Sequence, residues 1–519
     1  MPGFHVENFG CRAARADSEA VSARLRGAGL GDCSPAAADV VIVNTCSVTA
    51  EADRAARAYI CRAHRLNPAA RILVTGCYAQ RAPAELAALA GVAAVVGNSH
   101  KALAPQIALQ FAQPAPKPIS GALGASVPYE ASWLHEVSGH DFSRAAKGSI
   151  TSRALAPAES ICVPSSDTAL NFVTVQSLLT VPAKPAHAPI WADDRFAHSF
   201  IEEAHLAPGA QTRPNLKIQE GCGNRCTFCV IPQTRGSSKS LPGAAVLKQV
   251  EGFVAAGGNE LVLSGINLGR WGRDFPAGDD MPRPTLSALV RCILESTALP
   301  RLRLSSIEPM DWDADLIALM AEFGGSRLAR HAHLPLQSGS DAVLRRMHRR
   351  YRPWHYAEKV AALFQAAGPD LTLGADVMAG FPGETDREFE QTLNVLRALP
   401  FGYLHLFPFS PRPGTRAWAL HAESPVQSRV VDERMAALRA LAAEKTRAHR
   451  GQFIGRKLEA ITLHTPAALA YRGHTSALTE NFLPVEIEGA LPANHPVQIR
   501  VTGMGGEGRL EAKNAVAIS

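Results

Sequence analysis

Three cysteines lie within the stretch Gly221-Cys222-Gly223-Asn224-Arg225-Cys226-Thr227-Phe228-Cys229, directly after a short apolar run at 216–219. Thiolates are the soft ligands that iron–sulfur clusters require, and three of them leave one iron of a four-iron, four-sulfur cluster open. A structural zinc site requires a fourth ligand and more often shows two CxxC pairs. Three unrelated cysteines are not expected to crowd beside a strand. The spacing therefore predicts a cluster with an open, reactive iron at Cys222, Cys226 and Cys229.

The overall composition limits the class of protein. A chain of 519 residues is too long for one ordinary domain, so we expect about two to four. The 53 Lys and Arg against 47 Asp and Glu give a net charge of +6, which is weak evidence for nucleic-acid binding. Basic residues concentrate at 341–352 and 429–457, as on a phosphate-binding surface, although a solvated helix face is the commoner explanation of either stretch alone. The start shows no secretion-signal pattern and no apolar run is long enough to span a membrane, so we expect a cytoplasmic protein without membrane contact.

The first part of the chain, residues 1–111, alternates short apolar strands with alanine-rich helical stretches. Three of these strands end shortly before Cys11, Cys46 and Cys77. Strands separated by helices predict a doubly wound parallel sheet, and ligands bind beyond the carboxyl ends of such strands. Three thiols at equivalent strand ends therefore predict a second three-cysteine cluster. Widely spaced cysteines are otherwise small buried hydrophobes, and this is how we interpret Cys33, Cys61, Cys162 and Cys292.

Residues 112–205 differ from the rest of the chain. Pro, Ala and Ser dominate, as in Gln113-Pro114-Ala115-Pro116-Lys117-Pro118, and no amphipathic period persists. Because such a composition cannot bury a core, we predict an inserted, largely disordered linker.

The segment 206–450 repeats a strand followed by a helical stretch six times and ends in a basic helix. Six such units predict an incomplete parallel (β/α) barrel, whose active site lies at the carboxyl ends of the strands. The last segment, 451–519, consists of short apolar runs separated by Gly, Pro and Asn, which is typical of a small antiparallel β-barrel. The predicted fold class is therefore α/β with a small β-barrel at the end.

The residues around the first cysteine set narrow the interpretation. They form the segments Gly10-Cys11, Asn44-Thr45-Cys46-Ser47-Val48-Thr49 and Thr75-Gly76-Cys77-Tyr78-Ala79-Gln80. Together with the CxxxCxxC stretch, they resemble the radical S-adenosylmethionine methylthiotransferase family over about residues 1–111 and 213–519. Residues 44–54 are most similar to the branch that acts on N6-threonylcarbamoyladenosine in tRNA. One departure is Ala14, where members of the family often carry Asn.

The resemblance implies two [4Fe-4S] clusters and S-adenosyl-L-methionine as cofactors. The cluster at 222–229 would generate a radical from S-adenosylmethionine, and the amino-terminal cluster would carry the sulfur that reaches C2 of an adenosine next to the tRNA anticodon. The family also requires an electron donor such as flavodoxin or ferredoxin and a sulfur source. Residues 451–519 resemble the TRAM domain, an RNA-binding barrel.

Polar residues near the barrel strands are candidates for contacts with S-adenosylmethionine. In the radical family a comparable glycine and acid stretch contacts the methionyl amino group, which indicates the residues Gly257, Gly258, Asn259 and Glu260. Later strands are followed by side chains suited to hydrogen bonds with adenosine or the methionyl group, namely Ser306, Glu308, Gln337 and Asp376.

The run at 344–352 combines guanidinium groups with an aromatic ring. Arg pairs with phosphates and stacks on bases, so we assign RNA contacts to Arg345, Arg346, Arg349, Arg350 and Arg352. A solvated helix face explains the same run equally well.

Other interpretations stay open at this stage. The same chemistry would suit N6-isopentenyladenosine in tRNA or an aspartate of a ribosomal protein, and the residues beside Cys46 only favour the threonylcarbamoyl branch. A non-enzymatic RNA-binding protein with structural clusters is the alternative from another class. Three-cysteine sites argue against it, because a structural cluster is normally fully ligated by protein.

Overall fold

The computed structural model describes residues 1–113, 187–194, 196, 201, 212–276, 283–506 and 508–517. Most of the predicted linker at 112–205 lies outside these residues. The described chain forms an amino-terminal α/β domain, a central α/β domain and a closed β-barrel.

The amino-terminal domain is built on a parallel sheet with helices on both faces. Its strands are β1 (Gly3–Asn8), β2 (Gly31–Asp32), β3 (Val40–Thr45), β4 (Arg71–Gly76), β5 (Val92–Gly97) and β6 (Ile190–Trp191), and its helices are α1 (Arg12–Gly27), α2 (Ala50–Leu66), α3 (Cys77–Arg81), α4 (Pro83–Ala87) and α5 (Ala104–Ala112). The strand order is β2-β1-β3-β4-β5-β6. Val41 and Val43 pack in the layer of α2, whereas Val40 and Ile42 pack in the layer of α1 and α5. This alternation on β3 confirms the doubly wound sheet.

Strand β6 corrects the predicted linker at its carboxyl end. Ile190 and Trp191 pair in parallel with Val95 and Val96 of β5, and Trp191 is buried. A short edge strand is hard to recognise within a Pro- and Ala-rich stretch, because two residues show no period. The prediction that the other cysteines are core residues is wrong for Cys61 and Cys292, which are exposed. Cys33 is half-buried, so the prediction fits it only partly, and Cys162 lies outside the described residues.

The central domain has seven strands, of which the six predicted ones are parallel. Its strands are β7 (Asn215–Glu220), β8 (Lys239–Ser240), β9 (Glu260–Gly265), β10 (Arg301–Leu304), β11 (His331–His333), β12 (Thr372–Ala379) and β13 (Phe401–Pro408). They form the sheets β10-β9-β7-β8 and β11-β12-β13, in which only β8 is antiparallel. A bridge between Leu302 and Leu328 joins β10 to the segment before β11. The six-unit sheet is open between β7 and β13, because the described strands show no pairing between them.

The central helices cover the outside of this sheet. They are α6 (Ile231–Arg235), α7 (Gly243–Ala255), α8 (Leu286–Ser296), α9 (Ala314–Phe323), α10 (Asp341–Arg346), α11 (Pro353–Ala367), α12 (Asp386–Ala398), α13 (Arg416–Glu423) and α14 (Ser428–Gly451). Helix α12 begins at Asp386 because Thr385 and Glu388 form a capping box.

The last domain consists of β14 (Lys457–Thr462), α15 (Ala467–Tyr471), β15 (His474–Thr479), β16 (Pro484–Glu488), β17 (Pro496–Met504) and β18 (Leu510–Ala517). Its strands form a closed barrel in the order β14-β15-β16-β18-β17. One pair, β16 with β18, is parallel, so the barrel is not wholly antiparallel as predicted. Buried polar contacts fix it to the central domain, since Arg303 Nη2 donates to the Thr479 carbonyl at 3.2 Å and Asn481 Nδ2 to the Asp370 carbonyl at 3.0 Å.

Candidate functional site

The cysteines of the central domain lie on one loop at the carboxyl end of β7. Gly221, which begins this loop, has a φ of +69°, and a Cβ there would lie 2.0 Å from the Ser237 carbonyl oxygen. Only glycine fits such a left-handed, closely packed turn. The strand and this turn together place the three half-buried thiols of 222–229 at the end of the sheet where parallel barrels bind their substrates.

Side chains from two other segments donate to these sulfurs. Asn267 Nδ2 is 3.5 Å from Cys222 Sγ, and Arg349 Nη1 is 3.3 Å from Cys226 Sγ. Burial raises the pKa of Cys229 to about 12, so its thiolate requires a compensating positive charge. A cluster iron supplies that charge, since metal binding deprotonates a thiol. The donor set therefore fits an anionic iron–sulfur cluster.

An open pocket with about 720 Å³ of empty space lies in front of the cysteines. Four of the residues predicted to contact S-adenosylmethionine line it, and these are Ser306, Glu308, Gln337 and Asp376. Asn267 also lines the pocket and was missed by the sequence analysis. It follows β9 directly, so the rule that placed the other four residues would have indicated it.

The residues 257–260 are placed elsewhere, which corrects the prediction that they contact the cofactor. Gly257, Gly258 and Asn259 precede β9 and Glu260 is its first residue, so all four lie at the amino end of the strand, away from the cysteine loop. Glu260 is fully buried and accepts a hydrogen bond from Arg303 Nε at 2.9 Å, while Asn259 Nδ2 donates to the Asn494 carbonyl of the last barrel at 2.8 Å. Arg303 and Arg213 hold the pKa of Glu260 below its ordinary value, although burial opposes this shift. This glycine-rich turn serves the docking of the barrel.

Arg349 also differs from its predicted role in RNA binding. Its side chain is buried and donates to Glu308, to Cys226 and, at 3.2 Å, to the Tyr351 hydroxyl. Burial disfavours its charge, but these neighbours hold the pKa of Arg349 well above the ordinary value. Arg349 is therefore a fixed cation beside the cysteine loop.

The other arginines of the basic run are closer to solvent and form ion pairs. Arg346 forms a bidentate pair with Glu388, at 2.9 and 2.8 Å. Arg345 and Arg352 both pair with Asp341, and Arg350 lies 3.7 Å from Asp311. The side chains of Arg345 and Arg350 are 63% and 51% exposed, so these two remain the most accessible to a phosphate.

The amino-terminal cysteines lie at the carboxyl ends of three neighbouring parallel strands. Cys11 caps α1, Cys46 follows β3, and Cys77 begins α3 directly after β4. The turn before Cys77 requires Gly76, whose φ is +99° and whose added Cβ would lie 2.3 Å from the Thr45 carbonyl oxygen. Burial, together with the nearby sulfurs of Cys77 and Cys11, raises the pKa of Cys46 to about 12. Three thiols that interact in this way fit a shared metal cluster.

The domain interface contributes to this second cysteine site. Asn98 Nδ2 lies 3.5 Å from Cys77 Sγ and also donates to the Thr234 carbonyl of α6 at 2.9 Å. Arg235, the last residue of α6, donates from Nε to Cys77 Sγ at 3.2 Å. One buried nitrogen of this guanidinium, Nη2, has no hydrogen-bond partner among the described residues. An unpaired cationic N–H beside the thiols is what an anionic cluster would satisfy.

A histidine and carboxylate group borders the pocket in front of the 222–229 loop. Asp376 Oδ1 lies 3.2 Å from His333 Nε2 and 3.3 Å from His405 Nδ1, and these three ligand atoms lie within 4.8 Å of one another. The Tyr403 hydroxyl joins His333 Nδ1, at 3.0 Å, to His331 Nε2, at 2.8 Å. Burial opposes ionisation of Asp376, but hydrogen bonds from the two imidazoles outweigh this and lower its pKa. Asp376 therefore faces the pocket as an oriented carboxylate.

Comparisons with known proteins agree with this geometry. Residues 3–97 match the family described as uncharacterized protein family UPF0004, and residues 216–396 match the radical SAM superfamily. The chain is 31% identical to the threonylcarbamoyladenosine tRNA methylthiotransferase MtaB of Bacillus subtilis (strain 168), over 94% of this chain and 90% of that protein. It is 32% identical to the protein of the same name in Treponema pallidum (strain Nichols), over 96% of this chain and 98% of that one. The chain belongs to the radical SAM methylthiotransferase family.

Other similarities cover less of the chain or are more distant. The tRNA-2-methylthio-N(6)-dimethylallyladenosine synthase of Paracoccus denitrificans (strain Pd 1222) is 37% identical over 51% of this chain and 57% of that protein. Among solved structures, the radical S-adenosylmethionine methyltransferase TsrM from Kitasatospora setae is similar with a TM-score of 0.46 and 14% identity, over 82% of this chain and 75% of that one. As a radical SAM methylthiotransferase, the chain uses a [4Fe-4S] cluster and S-adenosylmethionine. Among the described helices, none is long and apolar enough to cross a membrane.

Proposed function

We propose that the protein is a cytoplasmic tRNA methylthiotransferase that converts N6-threonylcarbamoyladenosine next to the anticodon to its 2-methylthio derivative. The observation that carries the proposal is the pair of three-cysteine sites, each with an arginine donating to one sulfur. The branch assignment is supported by relatives named for threonylcarbamoyladenosine that match nearly the whole chain. The dimethylallyladenosine synthase matches about half of it.

Two [4Fe-4S] clusters are part of this proposal, one at each site. Cys222, Cys226 and Cys229 would hold the radical-generating cluster, and the amino-terminal cysteines would hold the sulfur-carrying cluster, which makes all six catalytic. When bound, the cofactors supply radical formation at the 222–229 site and sulfur transfer at the amino-terminal site. The protein contributes three thiolates at each site and buried donors that stabilise their negative charge.

The pocket residues would bind and orient S-adenosylmethionine. Its ammonium and sulfonium groups are cationic, so the carboxylates of Glu308 and Asp376 are suited to them. Both carboxylates are already oriented, Glu308 by Arg349 and Asp376 by two histidines. Ser306 and Gln337 would donate to oxygen atoms of the ribose or the methionyl group. Orientation by residues that are themselves fixed is what a radical reaction requires, because the hydrogen donor must lie within contact distance.

The tRNA would contact the outside of the pocket and the last barrel. Arg345 and Arg350 stay candidates for phosphate contacts because of their exposure, with Arg346 and Arg352 less accessible. The closed barrel β14–β18 would act as a TRAM-like RNA-binding domain, which its position after the basic helix α14 supports. An electron donor such as flavodoxin or ferredoxin and a separate sulfur source would complete the reaction.

Nucleoside mass spectrometry of tRNA from a deletion strain tests the substrate. We expect the 2-methylthio derivative of N6-threonylcarbamoyladenosine to disappear and its precursor to accumulate. Expression of the wild-type chain in the deletion strain should restore the 2-methylthio derivative, whereas expression of the Cys46→Ala variant should not. Loss of the methylthio derivative of isopentenyladenosine instead would show that the branch assignment is wrong.

A further inference from the structure

Arg235 occupies an unusual position between the two cysteine sites. It is 1% exposed and lies six residues after Cys229 in the chain, yet its Nε donates to Cys77 of the other domain. Its Nη1 donates to Glu220 Oε1 at 2.6 Å and to Asp17 Oδ2 at 3.2 Å. The guanidinium is therefore held by two carboxylates while it faces a cluster ligand.

Two lysines share the carboxylates that hold Arg235. Lys217 Nζ lies 2.7 Å from Glu220 Oε2, and Lys101 Nζ lies 3.5 Å from Asp17 Oδ1. Lys101, Lys217 and Arg235 share the carboxylates of Asp17 and Glu220, and burial lowers the pKa of Lys101. A guanidinium keeps its charge in proteins. Arg235 Nε is therefore a cationic donor held beside Cys77 Sγ.

The 222–229 loop has its own buried arginine. Arg349 donates to Cys226 Sγ at 3.3 Å, a distance similar to the 3.2 Å between Arg235 Nε and Cys77 Sγ. The partners that fix the two arginines differ. Arg349 is paired with Glu308, which lines the cofactor pocket, whereas Arg235 is paired with residues of the domain interface. Arg235 thus links the amino-terminal site to Glu220, which directly precedes Gly221 and the 222–229 loop.

We propose that Arg235 is a positioning residue that raises the reduction potential of the amino-terminal cluster by donating a hydrogen bond to Cys77. The inference rests on the proposed function, because it requires a cluster at Cys11, Cys46 and Cys77. Hydrogen bonds to ligand sulfurs and nearby charge set the potential of such clusters. A reduced cluster carries one more negative charge than an oxidised one, so a cationic N–H donor stabilises the reduced form more. Arg235 makes this cluster easier to reduce than its three thiolates alone would.

Potentiometric titration followed by electron paramagnetic resonance tests this, with each cluster observed separately. The full-length chain carrying Cys222→Ala, Cys226→Ala and Cys229→Ala retains only the amino-terminal cluster. In that background, Arg235→Lys keeps the charge but cannot keep the Nε contact with Cys77 together with both carboxylate contacts. We expect the equilibrium constant for one-electron reduction to fall about tenfold, which is about 59 mV.

Two further variants separate a specific effect from general damage. Asp17→Asn removes a negative charge but leaves the Cys77 contact in place, so the potential should rise. Arg349→Lys should change the potential of the 222–229 cluster when it is measured in a chain without Cys11, Cys46 and Cys77. In the chain without Cys222, Cys226 and Cys229, the same substitution should leave the potential of the amino-terminal cluster unchanged. If Arg235 had only a structural role, the reduction potential would not shift in opposite directions in Arg235→Lys and Asp17→Asn.

The outcomes also separate this inference from the proposed function. A wild-type chain that holds about four irons rather than about eight after reconstitution would contradict the two-cluster function before any variant is examined. About eight irons together with unchanged potentials in Arg235→Lys and Asp17→Asn would overturn the role of Arg235 alone. Loss of the amino-terminal cluster from both variants, with circular dichroism unchanged, would assign the interface charges to structure and would also overturn it.

Discussion

The two cysteine sites reach the same ligand set by different routes. At 222–229 all three thiols come from one loop, so the ligand spacing is visible in the sequence. At the amino-terminal site the thiols follow β1, β3 and β4, and only the parallel sheet brings them together. In both sites an arginine distant in sequence from the cysteine it contacts completes the surroundings. Local spacing thus indicates candidate cluster ligands, while tertiary packing decides which charged side chains lie beside them.

The largest expected effect separates the work of the two sites. Cys226→Ala should abolish both 5'-deoxyadenosine formation and the methylthio product, because the proposed function places cofactor cleavage at the 222–229 cluster. Cys46→Ala should abolish only the product and leave 5'-deoxyadenosine formation in place. Chromatography of both products from anaerobic assays measures this. Methylthiolated adenosine formed by Cys46→Ala over several turnovers would contradict the assignment of the amino-terminal cluster.

A smaller effect is expected for the arginine of the 222–229 site. Arg349→Met removes hydrogen bonds to Cys226, Glu308 and Tyr351. Each bond to a charged group contributes about 1.5–3 kcal/mol, so the KM for S-adenosylmethionine should rise by about tenfold or more in a cleavage assay.

The matched control for this variant is Arg345→Met, in the same basic run. Arg345 is 63% exposed and pairs only with Asp341 among the ion pairs of the described residues. Its replacement should leave the KM for S-adenosylmethionine unchanged and weaken tRNA binding at low salt. If both variants changed the KM for S-adenosylmethionine equally, the buried contacts of Arg349 would not be responsible for cofactor binding.

A third prediction contrasts the two ends of the central strands. Glu260→Gln leaves Arg303 buried without its anionic partner, which should lower the free energy of unfolding by about 3 kcal/mol in urea titrations. The KM for S-adenosylmethionine should not change, because Glu260 lies at the amino end of β9. Glu459→Gln, which removes a half-exposed pair with Arg301, should cost less than about 1 kcal/mol. A raised KM in Glu260→Gln with normal stability would restore the cofactor role that the sequence suggested.

The smallest effect is expected for the segment between the two cysteine regions. Replacing residues 114–186 by a flexible linker should leave cluster content and turnover nearly unchanged, because β6 is kept. Extending the deletion to 205 removes Trp191, which is 5% exposed in the amino-terminal core, and should destabilise the domain. Thermal unfolding of both variants distinguishes them. Loss of folded protein already in the shorter deletion would show that the segment itself packs.

Several residues show where sequence interpretation succeeded and where it failed. Ser306 follows β10, whereas Asp376 lies within β12, which extends to Ala379, and both line the pocket as predicted. Because glycine beside an acid suits a ligand, the sequence assigns the stretch 257–260 to the cofactor, but this stretch lies at the amino end of β9, opposite the cysteine loop. Arg349 was assigned to RNA because five arginines within 345–352 look alike in sequence, although their exposure differs widely.

The sequence by itself determined the candidate ligands, because thiol spacing, strand period and the glycines of tight turns are local properties. It also determined the parallel order of the six central strands, since alternating strands and helices allow few other arrangements. Only the tertiary structure decided which charged side chains meet the sulfurs. Arg235 and Arg349 are ordinary basic residues in the sequence, and their pairing with Glu220 and Glu308 depends on how helices and loops pack. Burial fixes the positive charges of these two arginines in position, because a desolvated guanidinium is held by its partners and is hardly screened by solvent.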